Sequence, residues 1–249
     1  LWLTPKQKRL REHAAVIQEA FDCDVLDLPW QDLKVGRPID DELIHDYSER
    51  YRRKEPSLQS LRDWYPPAVC RLPLFLGRLV CQRANARWDE QQRRLYAQTV
   101  TGAVITLLLG LLAIGIERHM RIGDLLQTAV LPMASALGLA LRQCRENYDA
   151  AGRGSKLKDH ASDLWKLALG GAEEAQLSAR ARILQDEIFD HRRRNVPVFD
   201  WWYWMLRRKH EAQMHESAAD LVSNLEASRN VPARGLVDGL AHASRAATD

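Results

Sequence analysis

The sequence predicts a mainly α protein, a helical transmembrane hairpin attached to a helical domain that contains at most a short strand. Three observations carry this reading. Residues 95–116, LYAQTVTGAVITLLLGLLAIGI, hold no charge over twenty-two positions. At 1.5 Å rise per residue such a helix is about 33 Å long, against a hydrocarbon core of about 30 Å. Residues 125–141 form a second uncharged run of seventeen, which reaches about 25 Å and lies near the lower limit for a span. Third, ERHMRIGD (117–124) joins the two runs closely enough to make a hairpin. The alternative is a soluble helical domain that buries an apolar hairpin, and Gln127, Thr128, Pro132 and Ser135 give it some weight. The first run, however, has no polar face, which a surface helix requires.

The flanking charges orient the hairpin. Arg83, Arg87, Arg93 and Arg94 precede the first run, and Arg142, Arg145, Arg153, Lys156 and Lys158 follow the second. In the loop, Glu117 and Asp124 offset Arg118 and Arg121. The Lys/Arg bias therefore places both long flanks in the cytoplasm and the short loop outside. At the start of the chain, Leu1, Trp2 and Leu3 precede Lys6, Lys8, Arg9 and Arg11. Residues 1–4 thus resemble the cytoplasmic end of a preceding span; an expression scar or a proteolytic end is the alternative.

Each further element follows from periodicity and punctuation. Residues 5–94 form a cytoplasmic sensor segment. A helix is expected over 5–22, with Leu10, Ala14, Ile17 and Phe21 as its apolar face. Val25, Leu26 and Leu28 are expected as a short strand that Pro29 ends. Gly36 and Pro38 mark a turn, and Asp40 is placed to cap a helix carrying Leu43, Ile44, Tyr47 and Tyr51. Pro56, Pro66 and Pro67 punctuate a loop. From Leu72 the helical pattern runs through Arg94 into the first span without a breaker.

After the hairpin, 142–228 form a second cytoplasmic helical segment. AAGRGSK (150–156) is expected to bend, 157–169 to resume as helix, and Gly170-Gly171 to break it. Residues 173–194 read as an amphipathic helix, Pro197 interrupts, and 199–227 read as another helix. The Ala/Gly-rich residues 229–249 are expected as a flexible tail.

The net charge of +3 is too small to imply binding of a DNA or RNA polymer. Cys23, Cys70, Cys81 and Cys144 form no CxxC pair and are expected as free thiols. Catalysis has little support. His210 and His215 flank Glu211 but lie five apart, about 140° around a helix, unlike a chelating i,i+4 pair. No P-loop, GxGxxG or GxSxG occurs. No enzyme activity and no metal site are expected.

Three polar or small-residue patterns remain. In CQRANARWDEQQRRLY (81–96), Gln82, Asn85, Asp89 and Arg93 share one helical face with Trp88 beside it. Such a face suits a small polar ligand, or else Asp89–Arg93 is a structural i,i+4 pair and Trp88 is core. In 181–195, Arg182, Gln185, Asp186, Phe189 and Arg193 form a stripe, and His191 through Arg194 a basic patch. Lipid contact and a solvated face are its plainer readings. In the first span Gly102, Thr106 and Gly110 are spaced by four, a packing stripe for close helix approach. Thr128 and Ser135 in the second run line a pore or bond back to their own helix, with Pro132 between them as an expected kink.

The strings FDCDVLDLPW, LRDWYP, CQRANARWDEQQRRLY and RILQDEIFDHRRRNVPVFDWWY, in this order around a membrane hairpin, resemble the bacterial SMODS-associated four-transmembrane effector family. The resemblance covers most of residues 5–215. It implies that the hairpin is part of a four-span bundle. It also implies an inner-membrane, multi-pass effector of cyclic-oligonucleotide anti-phage signalling (CBASS), with its large domain in the cytoplasm. Such an effector binds a cyclic di- or trinucleotide as activating ligand, needs no cofactor, and disrupts the bilayer as a homo-oligomer. A membrane scaffold without a nucleotide ligand is the alternative, as is a membrane-attached enzyme with an unrecognised site. A cyclic nucleotide calls for aromatic faces, guanidinium groups and amides. The candidates within the family-like strings are Trp30, Trp64, Tyr65, Arg83, Asn85, Trp88, Asp89, Arg93, Arg182, Asp186 and Arg193. Asp89 and Asp186 alternatively hold the arginines in place.

Overall fold

The computed structural model describes residues 5–198 and 200–230. It contains α1 (Pro5–Val25), α2 (Asp32–Val35), α3 (Asp41–Lys54), α4 (Leu74–Glu117), α5 (Ile122–Leu125), α6 (Leu131–Leu169), α7 (Glu174–Arg194) and α8 (Asp200–Asn230). Among the described residues there is no strand. The expectations for residues 1–4 and for 231–249 lie outside the described residues.

Two long helices organise the molecule. α4 is unbroken over 44 residues, about 66 Å at 1.5 Å per residue. Its C-terminal half is the first uncharged run; its N-terminal half is the polar string. α5, a π-helical turn at Leu126–Val130, and α6 together make a second helix from Ile122 to Leu169. The wide turn ends where Pro132, which has no N–H to donate, enters α6.

The helices run antiparallel, as their partners show. Leu125 packs at the Cα of Gly115. Thr101 and the Ala97 carbonyl meet the Cys144 thiol. Arg93 bonds Asn147, Lys158 reaches Glu90, and Arg83 bonds Ser162. Both helices are long and apolar enough to cross a membrane, and their most apolar windows are only 6% and 0% buried. A soluble hairpin core would hide these residues, whereas Ile105, Leu109, Ile116 and Leu141 are all exposed.

The polar halves form a helical body. Leu79 of α4, Ala161 and Leu164 of α6, and Leu177, Ala181, Leu184 and Ile188 of α7 make one core cluster. Leu76 and Val80 pack with Trp165 of α6 and with Ala218 and Leu225 of α8. Tyr96 and Trp202 meet edge to face at 5.8 Å. All four cysteines are free.

Three expectations are corrected here. The expected strand at Val25–Leu28 is the end of α1. Asp27 adopts φ 50°, and the Leu28 N–H bonds the Cys23 carbonyl at 2.9 Å, which makes a left-handed helix cap. Arg78 fixes that cap by donating to the Leu26 and Asp27 carbonyls. The expected bend at 150–156 is continuous helix. Ala150, Ala151 and Gly154 are buried, and a Cβ on Gly154 would sit 3.4 Å from the Glu90 Cβ. The small residues there serve close packing against α4, not a break. Third, the apolar face assigned to α1 points largely outward: Leu10, Ala14 and Phe21 are exposed and Ile17 is half-buried. Its buried face holds Ala15, Glu19 and Asp22.

The expected ends of α6 and α7 hold, while α8 runs to Asn230, past the expected end at 227 and into the expected tail. Gly171 at φ 84° ends α6, and α7 and α8 flank Pro197. Asp40 precedes α3 and its carbonyl accepts from Leu43 and Ile44, but its side chain makes no capping bond.

Candidate functional site

The buried carboxylates of α1 explain its inverted face. Glu19 and Asp22 are 0% and 1% exposed, and burying unpaired charge would be prohibitive. Arg182 of α7 donates to Glu19 at 2.7 Å and to Asp186 at 2.8 Å. Gln185 donates to both Glu19 and Asp22 at 2.8 Å. Arg192 reaches Asp22 at 2.7 Å, as does the Tyr65 hydroxyl at 2.5 Å. Asn85 of α4 donates to that hydroxyl at 2.9 Å. Gln82, fully buried, donates to Gln185 and to the Ala181 carbonyl.

A second set adjoins it one to two turns along α4. Asp89 accepts from Arg93 at 2.8 Å, from His191 at 2.6 Å and from Asn195 at 3.4 Å. Arg93 also donates to Asn147 of α6 and to the Val196 carbonyl. The two sets tie α1, α4, α6 and α7 into one polar network.

The electrostatics follow from this pairing. Burial opposes ionisation of Asp89, but Arg93 and His191 outweigh it and hold the carboxyl well below its usual range. Burial and the neighbouring Asp22 push the Tyr65 hydroxyl well up, so it stays a neutral donor. Burial disfavours the charge on Arg192, yet Asp22 more than compensates and raises its pKa. The Cys23 thiol is pushed to about 11 and Cys81 to about 12, chiefly by burial. Neither is a reactive thiolate near neutral pH.

The eleven ligand candidates therefore divide. Tyr65, Asn85, Asp89, Arg93, Arg182 and Asp186 belong to the network. Arg83 and Trp88 face the other way, toward α8, and Arg83 donates to Ser162 of α6 and to Ser217 of α8. Burial, with Arg87 alongside, lowers the Arg83 pKa. Trp30 lies at the edge of the network, where the Pro29 carbonyl accepts from Arg182 and the Trp30 ring nitrogen donates to the Gly36 carbonyl. Trp64 is 37% exposed. Arg193, half-exposed, stacks 5.7 Å above the Phe189 ring and pairs with the buried Asp190. The basic run 191–194 is thus split three ways: His191 to Asp89, Arg192 to Asp22, and Arg193 and Arg194 to Asp190.

Sequence reasoning missed Glu19, Asp22 and Asn195, and read His191 and Arg192 only as part of a basic patch. Asp22 and the last three lie inside the family-like strings, so position was a signal for them; Glu19 had none. It also missed an open cleft of about 420 Å³ where α1, α6 and the end of α7 meet. Lys8, Arg11, Arg142, Arg153 and Arg194 line it, with Glu146 and Asp149. Among the described residues no His, Cys, Asp or Glu cluster is placed to hold a metal.

Gly102, Thr106 and Gly110 are exposed on the outer face of α4, and a Cβ on either glycine would meet nothing within 4 Å. The stripe has no partner helix within the described residues. Thr128 bonds back to the Asp124 carbonyl at 2.6 Å, so its hydroxyl is satisfied within its own helix.

An apolar helix pair extending from a charge-paired helical body defines a membrane-helical protein in which the body and the spans share the same two helices. Its family is that of the SMODS-associating 4TM effector domain, whose model matches residues 1–221, and the chain belongs to it. A relative described as a probable CBASS effector molecule, from Bacillus cereus strain VD146, is 26% identical over 204 residues. The match covers 82% of this chain and 67% of that relative. No solved structure matches the chain.

Proposed function

We propose that the chain is a membrane effector of CBASS anti-phage signalling. In this reading a cyclic di- or trinucleotide binds the helical body on the cytoplasmic side of the inner membrane. Binding changes how the spans of several protomers pack, and the bilayer becomes permeable. No catalytic step is involved.

The observation that supports it most is the continuity of α4. One unbroken helix of 44 residues carries both Asp89 and Arg93, which meet His191 of α7, and the first apolar run. A shift of Asp89 and Arg93 relative to α7 is therefore a shift of the span as well. One protomer's spans are too few to enclose a wide aqueous path and carry no charge of their own, which is why the reading requires assembly.

The test is dye leakage from liposomes that contain the full-length protein, with and without a panel of cyclic di- and trinucleotides. One member of the panel should trigger leakage, and noncyclic mononucleotides should not. The scaffold reading is favoured by one observation, that Arg93 and Arg182 are already paired within the body. It predicts no leakage with any ligand that binds.

A further inference from the structure

The candidate arginines of the network are spent on buried partners, whereas the basic cleft holds guanidinium groups with donors to spare. Lys8 and Arg11 come from α1, Arg142 and Arg153 from α6, and Arg194 from the last position of α7. Their distance in sequence hid them; only the fold gathers them. The cleft's volume of about 420 Å³ lies within the range of small-ligand pockets.

Its chemistry points to phosphate. Arg11 gives one bond, to the Asn195 carbonyl at 3.3 Å, and its Nε is buried without a partner. Arg153 gives one bond, to the Asn195 side chain at 3.2 Å. Asn195 is itself 4% exposed, so one buried residue steadies two guanidinium groups whose remaining donors are uncommitted. Of the two carboxylates in the lining, Glu146 is paired with Arg142 at 2.8 Å, and Asp149 is outnumbered by Lys8, Arg11 and Arg153. Planar guanidinium forks match phosphate oxygens and are weakly hydrated.

The cleft is also wired to the network. Asn195 donates to Asp89, and the carbonyl of Val196, a lining residue, accepts from Arg93. A ligand that draws Arg11 and Arg153 inward pulls on the segment that holds Asp89 and Arg93, and so on α4.

We infer that this cleft is a binding site for a ligand carrying two phosphodiesters, and that Asp89 and Arg93 relay its occupancy without touching it. Two sources supply that chemistry. One is the cyclic oligonucleotide, in which case the inference rests on the second-messenger reading. The other is a lipid headgroup with two phosphodiesters, since Leu139 and Arg142 in the lining stand where the uncharged run ends.

The experiment uses the full-length protein in phosphatidylcholine nanodiscs. One arm titrates cyclic di-AMP, cyclic di-GMP, cyclic GMP–AMP and cyclic triadenylate by calorimetry. The other adds cardiolipin and measures retained lipid by native mass spectrometry. The variant is Lys8→Gln with Arg142→Gln, because Lys8 is exposed and Arg142 bonds only within its own helix. Arg52→Gln on α3 is the control. The double variant should weaken binding of whichever probe binds at least tenfold, with an unchanged melting temperature and an unchanged control. If that variant unfolds, Lys8→Gln alone should still weaken binding severalfold. A cyclic nucleotide that binds wild type and variant equally overturns the cleft and leaves the second-messenger reading intact. No nucleotide binding, with cardiolipin retention lost in the variant, upholds the cleft and counts against the second-messenger reading. If neither probe binds wild type, the cleft is overturned.

Discussion

Asp89 on α4 and His191 on α7 meet at 2.6 Å across 102 residues of sequence. The pair joins the strings on either side of the membrane hairpin. His191 is 6% exposed in its side chain, so its partner cannot be replaced by solvent. Asp89→Ala leaves both Arg93 and His191 short of an acceptor. Loss of a buried hydrogen-bond partner typically costs about 1–3 kcal/mol. Thermal unfolding of the detergent-solubilised protein should show that loss, while Arg193→Ala, which gives up a half-exposed guanidinium over Phe189 and leaves Asp190 paired with Lys34 and Arg194, should cost less, about 0.5–1 kcal/mol. Equal effects would mean that the network does not hold the body together.

The same pair sets a pH dependence. Asp89 is more acidic in the fold than in the unfolded chain, where a carboxyl titrates near about 3.9. A depressed carboxylate adds stability that is fully present above the unfolded value and is lost as pH falls through the folded one. The melting-temperature gap between wild type and Asp89→Asn should therefore stay constant from about pH 7 to 5 and narrow only below about pH 4. A gap that closes between pH 7 and 5 would assign the effect to another group.

Much of this fold is legible in the sequence because its signals are long. An uncharged run of twenty-two residues and the lack of a breaker from Leu74 to Glu117 leave few alternatives to one continuous helix. The failures occur where tertiary context reverses a local rule. Glycine and alanine at 150–154 read as a bend by propensity, yet packing on α4 keeps them helical. Glu19 and Asp22 look like a solvent face until Arg182, Gln185 and Arg192 arrive from α7 to neutralise them. The meeting of the two polar strings was foreseeable. The residues that each string would present to the other were not, because neighbours such as Arg192 and Arg193 point to different partners.

The topology has its own test. Met120 is 37% exposed in the short loop, and Ser155 lies on α6 within the polar body. In a background without native cysteines, a cysteine at Met120 should react with an impermeant maleimide in intact cells. One at Ser155 should react only after lysis. The opposite pattern would invert the orientation derived from the arginine distribution.

Two glycines separate packing within a protomer from packing between protomers. At Gly154 a Cβ would already lie 3.4 Å from Glu90 and 3.5 Å from the Ala86 carbonyl. Gly154→Leu must force α6 away from α4, and overpacking of this kind costs about 1–3 kcal/mol. Reduced folded yield and a lower melting temperature are the expected outcome. At Gly110 nothing lies within 4 Å, so Gly110→Leu should insert and fold like wild type. If the Gly102, Thr106 and Gly110 stripe is the surface on which protomers assemble, the added side chain holds neighbouring helices apart. Ligand-triggered dye leakage should then fail although ligand binding is unchanged. Leakage equal to wild type in Gly110→Leu would remove this stripe from the assembly surface. Loss of both binding and leakage would show that the outer face of α4 also shapes the body.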